Sequence, residues 1–167
     1  MTIETVAQSI HDLHSALLLL RQLGYRRIGA IGASLGGFTA ALYATVSNPL
    51  DFIFLVVPMI DLGSQMQPRR GKTAFVPDHN LASKTRRALQ TISPLSLELA
   101  FDPNNICIVA HAGDRMCPIE HARALVSRWK LPHLVEVTGG HWLYLDRDAR
   151  GRAWYEWLQG KGFVERR

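Results

Sequence analysis

The chain has 167 residues, 47% of them apolar and 20% charged, which is enough for one globular domain with a sizeable core and too little for two. Its longest apolar run, Phe52 to Ile60, contains a proline and falls short of the roughly 20 residues a bilayer span needs, and its first basic residue, Arg21, comes after Glu4 and Asp12, so no secretory signal or membrane partner is expected and the cytoplasm is the simplest address. The 19 Lys+Arg outnumber the 14 Asp+Glu but lie in small scattered groups without interleaved aromatics, a solvated basic surface that argues against a nucleic-acid partner.

From Ile3, the apolar residues Val6, Ile10, Leu13, Leu17 and Leu20 recur at steps of three and four, predicting a helix to about Leu23 with Gly24 as its terminator. Arg27 to Ile31 reads as a short buried strand, Ser34 to about Val46 as a helix rich in small residues, and Phe52 to Val57 as a second strand closed by Pro58. Residues 59–105 are polar and punctuated by prolines, with one predicted helix from about Ala82 to Thr91; they read as a cap-like insertion within a single domain, 1–167. Ile106 to Ala110 is the third strand. A helix follows from Pro118 to about Lys130, with Ile119, Ala122, Leu125, Val126 and Trp129 on one face. Leu134 to Val137 is the fourth strand, and a last helix near Asp148 to Leu158 presents Trp154, Trp157 and Leu158 to the body of the protein. Apolar strands alternating with amphipathic helices predict an α/β fold: a parallel sheet of about four strands, helices on both faces, and function at the carboxyl ends of the strands.

The run Gly32-Ala33-Ser34-Leu35-Gly36-Gly37 stands between the first strand and its helix. A G-x-S-x-G pentapeptide carries little by itself, but at this place a sharp turn exposes the serine hydroxyl, flanking glycines let backbone pass, and the Leu35 N–H at the helix start can face a developing oxyanion. A serine hydroxyl also needs a base, and the base needs a group to orient it. Gly113-Asp114-Arg115-Met116-Cys117-Pro118 leaves the third strand with Asp114 in its loop, and Gly139-Gly140-His141 leaves the fourth with His141 at the equivalent height. Ser34 is therefore the candidate nucleophile, His141 the general base and then acid, and Asp114 the carboxylate that holds the imidazole. Asp61 and His111, each after a strand, are the reserve acid and base. Cys107 and Cys117 lack metal-ligand spacing and read as two reduced thiols, Cys117 being a bystander beside the acid. A dinucleotide-binding turn would need glycine where Ser34 stands, and a P-loop would need a Gly-Lys-Ser/Thr that is missing.

Serine, aspartate and histidine in that order, each after a successive strand, give the chain its resemblance to the α/β-hydrolase superfamily, which extends from its first helix to its last. The resemblance implies a serine hydrolase cleaving carboxylic esters of small acyl groups through an acyl-enzyme on Ser34, with no cofactor and no metal. Members of that family carry further strands ahead of the elbow, and a loop among them supplies a second oxyanion donor. Here one helix stands in their place, so a truncated sheet and weak activity are expected. The alternative is a hydrolase remnant that serves as an interaction or assembly module. The shortened sheet turns Arg27 to Ile31 into an edge with unpaired backbone groups, and a two-fold homodimer covering that edge is expected. The insertion occupies the place of a family cap, where Met59, Met66, Phe75 or Leu81 would either shape an acyl pocket or pack the loop.

Overall fold

Among the described residues, short runs dominated by Val, Ile, Leu, Phe and Ala become four strands of one sheet, β1 (Gly29–Ala33), β2 (Phe52–Val56), β3 (Ile106–His111) and β4 (His133–Val137). They are parallel throughout and lie side by side in chain order. Around them stand helices α1 (Ile3–Gln22), α2 (Leu35–Val46), α3 (His79–Thr91), α4 (Ile119–Trp129) and α5 (Arg147–Gly160). The computed structural model describes residues 3–46, 49–63, 79–143 and 147–165. None of the helices described is long and apolar enough to cross a membrane.

Strands laid down sequentially by right-handed crossovers put every intervening helix on the same face. That face is packed by α1, α2 and α4: Leu17, Ala40, Ala41, Tyr43, Ala44, Ile119, Ala122, Leu125 and Trp129 meet Ile53, Leu55, Ile106 and Ile108 in one core. The alternate strand residues Phe54, Cys107 and Val109 point the other way and are covered by Trp154 and Trp157 of α5. The Trp154 indole meets the Phe54 ring edge-on, centroids 4.5 Å apart. The expected helices on both faces are thus present, with α5 covering the second face. At the rim, Arg123 of α4 donates two hydrogen bonds to Glu136 of β4 (2.8 and 2.7 Å), and the guanidinium holds the Glu136 carboxyl below its usual range.

The first strand starts two residues later than the apolar pattern predicts, at Gly29 and not Arg27. The residues ahead of it are drawn elsewhere. The Arg27 guanidinium lies 4.1 Å from the centroid of the Phe163 ring and donates to the carbonyls of Lys161 and Gly162. The Ile28 N–H goes to the Asp51 carboxylate (2.6 Å), which also accepts from Arg21 at the end of α1 (3.1 Å). The sheet edge is accordingly Gly29–Ala33, where Ile31 is 61% exposed.

Within 59–105, the half-buried Met59 packs against the cluster of Val6, Phe38, Leu42 and Leu62. The later part is tied down on α2: Ser93 is buried with its hydroxyl on the Ile60 carbonyl (3.2 Å), and Ala100 N–H donates to Ala44 O (2.9 Å). Met66 and Phe75 lie outside the described residues, as does the side chain of Leu81.

Leu55 is fully buried where β2 meets α2 and α4. Leu55→Ala is expected to cost about 2–5 kcal/mol, the usual range for a core leucine, read as a shifted denaturant midpoint with an unchanged m-value.

Candidate active site

Ser34 lies between β1 and α2 with φ 51°, in the left-handed region that a residue with a side chain enters only when its surroundings impose it. Three hydrogen bonds impose it here. The Ser34 N–H donates to Val56 O (3.0 Å), and its carbonyl accepts from Phe38 N–H (3.1 Å) and Met59 N–H (3.0 Å). The turn is too tight for a side chain beneath it: a Cβ on Gly32 would stand 2.3 Å from Gly36 O. Leu35 is the first residue of α2, so its N–H has no acceptor inside the helix and sits at the positive end of the helix dipole, next to the serine.

A second strained corner supports the first. Val57 adopts φ 41° although it is β-branched and precedes Pro58, two features that disfavour that conformation. Its N–H is held by Val109 O (2.8 Å), and the turn it makes brings Met59 N–H to the Ser34 carbonyl. Pro58 marked a strand end in the sequence, but no local pattern marks Val57.

Asp114 is 5% exposed in the loop after β3. Its Oδ1 accepts from the N–H groups of Met116 and Cys117, both at 2.8 Å. That leaves Oδ2 for His141, whose Nδ1–H donates to it at 2.7 Å. A carboxylate can only accept, so the imidazole proton is on Nδ1 and the Nε2 lone pair faces Ser34 Oγ, 3.0 Å away. The three side chains singled out in the sequence therefore form one line, and that line can pass a proton from hydroxyl to imidazole. Both nitrogens of His141 being engaged, Asp61 takes no part in it.

The loops carrying acid and base are braced against each other. Ala112 N–H donates to Val137 O (3.0 Å) and Gly113 N–H to Gly139 O (2.9 Å). A Cβ on Gly113 would stand 2.8 Å from that same Gly139 oxygen. His111, 1% exposed, accepts Asp114 N–H with its backbone carbonyl (3.1 Å), while its ring Nδ1–H donates to Gly140 O (2.9 Å). The reserve base is thus a brace between the two loops. Trp142, 79% exposed, sets its ring edge-on to His141, centroids 4.9 Å apart. Nothing in its spacing distinguished it from a surface tryptophan. An apolar cleft of about 310 Å³, lined by Val6, Ile10, Leu42, Val46 and Leu97 among others, sits at the far end of α2. At 1.5 Å per residue that is about 16 Å along the helix from Ser34.

No protein-family model matches the chain. It is 31% identical over 137 residues to an uncharacterised protein of Mycobacterium tuberculosis, a match that takes in 81% of this chain and 33% of that protein. It therefore spans about a third of the length of that relative. Among solved structures it is similar to a thermophilic esterase of Thermogutta terrifontis with butyrate bound, at TM-score 0.67 and 22% identity over 95% of this chain and 67% of the esterase. It is also similar to a sugar hydrolase of Lactococcus lactis (TM-score 0.67, 15% identity, 98% and 72%). A third neighbour is a puromycin-hydrolysing peptidase of Mycobacterium tuberculosis (TM-score 0.65, 18%, 93% and 24%). With four parallel strands, helices on both faces and a strand-to-helix turn at Ser34 among the described residues, the chain has the α/β-hydrolase fold over the part of those structures that it matches.

Proposed function

We propose that the chain carries a serine hydrolase site that cleaves carboxylic esters of small acyl groups through an acyl-enzyme. What supports this reading is the line from Ser34 Oγ to His141 Nε2 at 3.0 Å and from His141 Nδ1 to Asp114 Oδ2 at 2.7 Å. Ser34 Oγ attacks the acyl carbon as its proton moves to His141 Nε2, and the carbonyl oxygen takes up the charge. Leu35 N–H and the start of α2 face that oxygen. Collapse of the tetrahedral species returns the proton from Nε2 to the leaving alcohol. Water then enters by the same route in reverse order, frees the acid and restores the hydroxyl. Asp114 stays ionised, its second oxygen held by two backbone N–H groups, and stabilises the imidazolium in both halves. Leu35, Trp142 and Leu143, at 44%, 79% and 67% exposure, offer apolar surface next to the three residues for an acyl chain.

The open edge of β1 favours a second feature, assembly. One side of Gly29–Ala33 pairs with β2, and the other pairs with no strand among the described residues. Leu18, Leu19, Leu23 and Tyr25, in α1 and the segment leading to β1, are also more than two-fifths exposed. We propose that a second copy covers this edge in a two-fold dimer. The interaction-module reading rests on the same edge and requires no turnover at Ser34.

Hydrolysis of short-chain p-nitrophenyl esters separates these readings. Ser34→Ala is expected to drop turnover to background and abolish labelling by a fluorophosphonate; equal labelling of both proteins overturns the assignment of the nucleophile. Asp114→Asn is expected to lower kcat roughly 10² to 10⁴-fold by favouring the wrong imidazole tautomer. Gly113→Ala, which forces the acid and base loops apart, is expected to lower kcat by about 10² with little change in KM. Sedimentation velocity at micromolar concentration is expected to give a dimer that Ile31→Lys dissociates; a stable monomer of the unaltered chain overturns the dimer.

A further inference from the structure

Cys117 has no part in the acyl-transfer cycle, yet its side chain is buried beside it. One coordinating atom from each of Asp114, Cys117 and His141 lies within 4.8 Å of the other two, and the three residues are 5%, 5% and 7% exposed. We propose that these residues form a site for a borderline-soft divalent cation of the Zn²⁺ and Cd²⁺ class, and that filling it switches the hydrolase off.

Donor chemistry selects the ion. A thiolate, an imidazole and a carboxylate are the ligand types of zinc sites, and the thiolate disfavours Mg²⁺ and Ca²⁺. The charges balance, since thiolate and carboxylate together neutralise a dication in a place where a lone charge would be costly to bury. The distances are within reach. With Zn–S near 2.3 Å and Zn–N or Zn–O near 2.0–2.1 Å, tetrahedral ligand atoms stand about 3.3–3.6 Å apart. The carboxylate and the imidazole must therefore open from 2.7 Å, while the thiol, within 4.8 Å of both, closes by about 1.2 Å at most. Asp114 and Cys117 spring from one turn, fixed by the two N–H bonds to Oδ1 and by the start of α4, so two of the three ligands are already placed. In contrast, Cys107 lies in the core under α5, where burial pushes its thiol up to about 12, and it has no part in the cluster.

The protons account for the inhibition. Binding removes the thiol proton to solvent and requires a lone pair on the imidazole nitrogen facing Asp114. The ring's one proton then moves from Nδ1 to Nε2, so that nitrogen becomes a donor toward Ser34 and no longer takes the hydroxyl proton. The acid–base line and the metal site use the same lone pairs and exclude each other. Cation binding rests on the geometry alone, whereas its effect on turnover rests on the function proposed above.

Two probes test the parts separately. Titrating the protein with Cd²⁺ is expected to produce a thiolate-to-metal charge-transfer absorption that saturates at one ion per chain, persists in Ser34→Ala and is lost in both Cys117→Ala and Cys117→Ser. Either variant keeps the backbone N–H on Asp114, and circular dichroism reports that it is folded. Absence of the band in the unaltered protein, or its survival in the folded variants, overturns the site whether or not any ester is hydrolysed. Micromolar Zn²⁺ is expected to suppress ester hydrolysis and EDTA to restore it. Cys117→Ala should raise the inhibitory Zn²⁺ concentration more than about a hundredfold, beyond the roughly 10–100-fold that loss of an outer-shell partner costs. Equal Zn²⁺ sensitivity of the two proteins overturns the switch.

Discussion

The parallel register of the sheet is the constraint on which the site depends. Ala33 is level with Val56, Val56 with Val109, and His111 with Val137. Because all four strands run the same way, the segments that leave β1, β2, β3 and β4 emerge along one edge of the sheet, and Ser34, Val57, Asp114 and His141 meet there. An antiparallel pairing of the same strands would have sent alternate turns to opposite edges. Parallel strands also require helical crossovers, and these supply α2, whose first turn holds Leu35, and α4, which fixes the end of the acid loop.

Register places the groups to within several ångströms, and backbone contacts between the turns do the rest. Ser34 and Val57 both occupy left-handed conformations that cost of order 1–3 kcal/mol each. They persist because each is held by hydrogen bonds to a neighbouring segment. The acid and base loops are joined in the same way, through Gly113 to Gly139 and through the His111 ring to Gly140. The backbone of the site is therefore held by contacts between its turns, while one hydrogen bond joins the Ser34 hydroxyl to the His141 ring and another joins that ring to Asp114. The proposed hydrolase and cation sites both draw on that division, since small side-chain movements would turn an acid–base line into a ligand set without disturbing the turns beneath it.

The sheet also sets the outward character of the molecule. Its β4 side is clamped to α4 by Arg123 and Glu136, whereas its β1 side shows Ile31 to solvent. In the neighbours of this fold the chain matches about two-thirds of the esterase and a quarter of the peptidase, so the same four-stranded unit occurs in larger proteins.

The succession of elements could be read from the sequence, because hydrophobic period and composition are local and each strand and helix carries its own. The Ser34 elbow was equally legible, since the glycines that a tight turn demands are its immediate neighbours. Boundaries moved where a distant partner competed: Arg27 was drawn to the segment around Phe163, and the strand began later. Only tertiary structure joined Ser34 to His141, 107 positions apart. It also turned His111 from a candidate base into a brace, strained Val57, and set Cys117 beside Asp114 and His141 despite a spacing that suggested no metal. Each of these outcomes depends on which backbone groups and side chains approach across the sheet edge, a through-space property that no run of neighbouring residues encodes.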